Sequence, residues 1–100
     1  MSLDMASDGK EGKMKEYHLY VSGSHEAVFR AVKSRWDYAT IIPTIGLWEG
    51  KVEDSWVVVV LDPPRSYEGM RQGASDVAQE LGQQCVLLTY HEVEGGLVGA

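Results

Sequence analysis

Three histidines, one cysteine and a cluster of carboxylates are the residues of this 100-residue chain best equipped for chemistry. His18 and His91 lie in stretches with the two-residue alternation of strands. If those strands are neighbours and both imidazoles point to the same side, they line a pocket with Tyr20 and Trp56. Two imidazoles can exchange protons or hold an ion, but a zinc site usually needs three or four ligands, so no metal and no cofactor is expected there. His25 opens a helix, where a solvated side chain is the default. In the stretch GLWEGKVEDSW, Glu49, Glu53 and Asp54 offer oxygen ligands of the type that suits calcium or magnesium. Their spacing matches no calcium loop, and a hairpin tip surrounded by water does not separate two carboxylate pKa values as an acid–base pair requires. Cys85 is the only cysteine, which excludes an internal disulfide and a multi-cysteine zinc site. Its place in the apolar run Cys85-Val86-Leu87-Leu88 reads as an inert core thiol. The sequence has no phosphate-binding loop, no Gly-x-Gly-x-x-Gly, no Gly-x-Ser-x-Gly and no His-Glu-x-x-His. No catalytic residue is assigned, and the balance leans away from an enzyme.

The elements that must position these residues follow from periodicity. Lys15 to Ser22 alternates, with Tyr17, Leu19 and Val21 on one side and His18 and Tyr20 on the other, which predicts a strand. Ser24 is a natural N-cap, and Val28, Ala31, Val32 and Arg35 recur at helical spacing, so a helix is expected from Ser24 to about Arg35. Thr40 to Glu49 is rich in β-branched residues but contains Pro43, which cannot donate to a ladder and belongs on an edge strand. Ser55 to Leu61 is a third segment of strand character, joined to the second through a five-residue loop, Gly50 to Asp54, that sets Trp48 opposite Trp56 and Glu49 opposite Ser55. After Pro63-Pro64, Ser66 is expected to cap a helix marked by Met70, Ala74, Val77, Ala78 and Leu81 and ended by Gly82, with Gly69 and Gly73 as weak points. Gln84 to Val93 is the last strand.

The order β-α-β-β-α-β predicts an α+β, ferredoxin-like sandwich with an antiparallel sheet in the order 4-1-3-2 and both helices on one face. Residues 1–14, mixing Ser, Asp, Gly, Lys and Glu without period, read as a flexible leader, 15–96 as one domain and 97–100 as a tail. Two helices roof only one side of such a sheet, yet neither side of the third or fourth strand is fully polar. With Trp56, Val58 and Val60 placed on the open side beside Trp48, the exposed apolar patch exceeds what a monomer carries, and sheet-to-sheet assembly of copies is expected through those four residues. The alternative is that the leader or Leu97-Val98 folds over that side.

Nine Lys plus Arg against fifteen Asp plus Glu leave a net charge of -6. That field disfavours nucleic acid and anionic membranes as partners. No apolar run approaches the roughly 20 residues of a membrane-spanning helix, and the first fifteen residues lack the apolar segment of a signal peptide. A cytoplasmic setting is expected, or a virion-associated one for a phage-encoded chain.

The segments Gly46-Leu47-Trp48-Glu49-Gly50, Glu53-Asp54-Ser55 with the valine strand, and Gly82 to Thr89 resemble short uncharacterised phage and bacterial proteins. Those have a Gly-x-Trp-x-Gly hairpin followed by an acidic residue and Ser, and end on a Gln-x-Val-Leu strand. The likeness spans residues 46–89 and departs from the pattern at Cys85. It implies a small α+β protein and brings no catalytic residue with it. The leading expectation is a non-enzymatic, oligomeric interaction or accessory protein of phage or prokaryotic origin. The alternative is a small-molecule binder or cofactor-free enzyme of the dimeric ferredoxin-like kind, with His18, Tyr20, Trp56 and His91 lining its cavity.

Overall fold

The alternation of Tyr17, Leu19 and Val21 places three large apolar side chains on one side of a strand, and all three are buried under helices. The computed structural model describes residues 12–63 and 65–99, apart from the side chain of Trp48. Its elements are β1 (Gly12–Ser22), α1 (His25–Lys33), β2 (Thr40–Trp48), β3 (Lys51–Leu61), α2 (Ser66–Glu80) and β4 (Leu87–Gly95). The four strands form one antiparallel sheet in the order β2-β3-β1-β4, which reads 4-1-3-2 from the β4 edge. This is a small α+β fold in the ferredoxin-like arrangement. β1 starts at Gly12, three residues before the expected Lys15. Most of the expected leader lies outside the described residues.

Both helices cover the same side of the sheet. Val28, Ala31 and Val32 of α1 and Met70, Ala74, Val77 and Ala78 of α2 join Tyr17, Leu19, Val21, Val58 and Val60 in the buried core. Ser24 caps α1, its hydroxyl accepting from the Ala27 N–H at 3.2 Å. Ser66 does not cap α2. The N-cap is Arg65, in the left-handed region at φ 62°, and the Ser66 hydroxyl is hydrogen-bonded to the hydroxyl of buried Tyr17 at 3.1 Å. At the other end Gly82 takes φ 71°, so the Gly82 N–H reaches the Gln79 carbonyl and the Gln83 N–H the Ala78 carbonyl, a Schellman pair that stops the helix where the glycine was expected to. Gly73 has a role that propensity alone hides: a Cβ there would meet the Trp36 ring at 2.5 Å, so the missing side chain is the seat of that indole.

The β2–β3 connection differs from the expected five-residue loop. It is a two-residue turn, Glu49-Gly50, with φ of 50° and 78°. Positive φ at both positions is the type I′ geometry whose twist matches the flanking strands, so the ladder runs on to Trp48↔Lys51. Trp48 therefore does not face Trp56; Pro43 does, on the edge strand where a proline was expected. β1 pairs with β3 only as far as Ser22↔Ser55. Beyond that point β2 and β3 continue as a two-stranded arm on which Ile45, Leu47 and Val52 are 79%, 72% and 72% exposed.

Candidate functional site

Which side of β3 faces the helices is decided by register. Tyr17, Leu19 and Val21 pair with Val60, Val58 and Trp56, so those three residues lie on the roofed side. Val58 and Val60 are buried, and half-buried Trp56 packs against the core. Its indole N–H donates to the Gly23 carbonyl at 2.9 Å, and its ring lies 5.1 Å from that of His25. The expected interface of Trp56, Val58 and Val60 is therefore overturned. Both sides of the strand are apolar, and the alternation could not rank them. Trp48 belongs by strand position to the open series.

The open side carries the other set: Tyr20 and His18 of β1, Val57, Val59 and Leu61 of β3, Ile42 of β2, and Leu87 and His91 of β4. Tyr20, Ile42, Leu61 and Leu87 are exposed, and Val57 and Val59 are half-buried. The C-terminal segment does not cover them, since Leu97 and Val98 are themselves exposed. Among the described residues an apolar surface therefore lies open, built from residues one step out of phase with those expected; the leader, the other cover expected for it, lies for the most part outside the described residues.

Of the expected pocket, His18, Tyr20 and His91 come together on this side and Trp56 does not. The His18 and His91 rings are 5.6 Å apart and the Tyr20 ring is 6.5 Å from that of His18. Sequence reasoning missed Glu16. It is two residues before His18 and directly opposite His91, so strand geometry sets all three side chains on one side of the sheet. His18 Nε2 is hydrogen-bonded to Glu16 Oε1 at 3.1 Å, and His91 Nε2 lies 3.1 Å from the same oxygen. The signal was available: Glu-x-His on one strand is a same-side pair, and only the register that adds His91 was out of reach.

The acidic turn does not converge. Glu53 and Asp54 are successive residues of β3, opposite Gly46 and Ile45, so their side chains leave opposite sides of the arm. Glu53 accepts from the Ser22 hydroxyl at 2.8 Å. Cys85, expected in the core, is exposed, because β4 begins only at Leu87 and residues 83–86 form the connection from α2.

A second concavity lies between α2 and the start of β4. It measures about 620 Å³, with Ala74, Ala78, Val86 and Leu88 among its apolar lining residues and Tyr67, Arg71, Ser75 and Gln79 among its polar ones. Arg71 also lines an adjoining hollow of about 640 Å³ with Arg65, Tyr67 and Glu68. Among the described residues no helix is long and apolar enough to cross a membrane.

No protein-family model matches the chain, and no curated protein matches it. Solved structures do. The chain is similar to CPII, a nitrogen regulatory PII-like protein from Thiomonas intermedia K12 bound to ADP, AMP and bicarbonate, at 13% identity and a TM-score of 0.62, over 89% of this chain and 99% of that one. It is also similar to a phage SAM lyase in complex with S-methyl-5′-thioadenosine, at 12% identity and a TM-score of 0.62, over 87% of this chain and 85% of that one. At these identities the likeness is one of fold.

Proposed function

We propose that this chain is a homo-oligomeric small-molecule-binding protein whose ligand is an adenosine substituted at the 5′ position. One observation carries the ligand class. Two different kinds of protein match this fold over most of their length, and the structures of both hold an adenosine derivative. That favours the small-molecule reading over a purely structural accessory role. The interior between sheet and helices is filled by core side chains and offers no room for the ligand.

The groove between α2 and β4 suits such a ligand. Its volume falls within the range of about 300–1,000 Å³ usual for small-molecule sites, and it is lined about equally by apolar and polar residues. Tyr67 supplies a ring for stacking. Arg71 supplies a fork for phosphate on a chain whose net charge of -6 otherwise repels anions. Assembly is supported by the open apolar side of the sheet, which a second copy would bury, whereas Ile45, Leu47 and Val52 of the arm continue the roofed series and offer a separate contact.

Isothermal titration of the full chain with ADP, AMP and S-methyl-5′-thioadenosine tests the reading, alongside native mass spectrometry. Saturable binding of at least one of the three by an assembled species is expected, with Arg71→Ala weakening ADP by about tenfold or more, the worth of one charge-assisted hydrogen bond. A folded chain that binds none of the three at millimolar concentration overturns the ligand class. Unchanged ADP binding in Arg71→Ala overturns the groove as the phosphate site.

A further inference from the structure

We infer that Glu16, His18 and His91 form a site for a first-row divalent metal ion, of the zinc and cobalt class, on the open side of the sheet. The inference needs only one chain and does not rest on the adenosine reading. One carboxylate oxygen and two imidazole nitrogens, one donor atom from each residue, lie within 4.8 Å of one another, and Glu16 Oε1 is 3.1 Å from each Nε2. A tetrahedral zinc ion with bonds of about 2.0–2.1 Å separates its donors by roughly 3.3 Å, so small side-chain rotations bring all three onto a common ion.

Two features distinguish the cluster from a chance meeting of surface side chains. Glu16 and His18 stand on β1, an inner strand paired on both sides, so their Cα positions are fixed by two ladders. His91 is held in register directly across from Glu16. The backbone thus aims three donors before any ion arrives, which is the preorganisation a binding site needs. Two histidines and one carboxylate are also a donor set suited to zinc, cobalt, nickel or ferrous iron rather than to calcium or magnesium. His18 and Glu16 are partly buried and His91 is exposed, so the cluster is bounded by protein on one side and open on the other. The remaining coordination position points away from the sheet, to be filled by water, by a ligand or by a group from another copy.

The test uses the full chain without an affinity tag. Cobalt added as its chloride should bind one ion per chain and develop the visible bands of a four- or five-coordinate ion, and zinc should displace it. His18→Ala and His91→Ala should each weaken cobalt by about 100-fold or more, beyond the loss usual for outer partners of a metal ligand, while far-UV circular dichroism without metal stays as in the parent. His25, on the roofed side beside Trp56, is an internal control. In proton–nitrogen spectra zinc should move the imidazole resonances of His18 and His91 and leave those of His25 in place. A parent chain without saturable uptake, or a folded double variant His18→Ala/His91→Ala that binds cobalt as the parent does, overturns the site.

Discussion

Val58 and Val59 are identical, adjacent and opposite in fate. Val58, on the roofed side, is fully buried beneath the helices and pairs across the ladder with Leu19. Val59, on the open side, is half-buried and pairs with His18. The roofed side contains the whole of the buried core. The open side is nearly as apolar along β3, but it also carries imidazoles, a carboxylate and a phenol. Stability is concentrated on one side of a single layer, and the clustered imidazoles and carboxylate stand on the other. A sheet of side-chain period two allows this division, because successive residues of the same strand answer to different requirements.

The widest break in the comparison comes from placing one lysine on each side. Val58→Lys puts an unpaired charge in the core and should cost about 3–5 kcal/mol or abolish folding, as urea denaturation will show. Val59→Lys should change the stability of the isolated subunit by less than about 1 kcal/mol, yet, on the proposed assembly, leave it monomeric in sedimentation velocity at concentrations where the parent is expected to associate. If Val59→Lys assembles as the parent does, the open side is not the interface between copies. A smaller effect is expected from Gly73→Val on the roofed side. Forcing the Trp36 ring off its seat should cost about 1–3 kcal/mol despite the removal of a helical glycine, measured by thermal unfolding. The mildest is Trp56→Phe, which keeps an aromatic ring but deletes the hydrogen bond to the Gly23 carbonyl and should cost about 0.5–1.5 kcal/mol. Assembly unchanged in Trp56→Phe would agree with an indole that belongs to the core side rather than to an interface.

Periodicity was sufficient to place the six elements, because each segment is consistent within itself. Tyr17, Leu19 and Val21 alternate, Ser24 caps, Gly82 stops a helix, and Pro43 marks an edge. It failed where the deciding information was not local. The third strand reads Trp-Val-Val-Val-Val-Leu, apolar in both phases, so only its pairing with β1 could tell the core phase from the open one, and Trp56, Val58 and Val60 were placed on the wrong side. The turn failed differently: Glu49 in a left-handed conformation is unusual for a residue with a Cβ, and the two-residue solution is visible only once the long β2–β3 ladder is seen. For the candidate site, the two histidines stood out by type, whereas Glu16 did not. A glutamate on a strand is ordinarily a solvated side chain, and what sets this one apart is a register contact with His91, 75 positions away in the sequence.

The arm formed by β2 and β3 beyond Ser55 has a different bearing on how the molecule behaves. Among the described residues no third strand lies alongside it and no helix above its apolar side, so it is held by one ladder and a tight turn and can open locally without disturbing the buried layer. Such opening leaves Glu16, His18 and His91 where they are, because the β1–β3 and β1–β4 ladders that aim them do not include the arm.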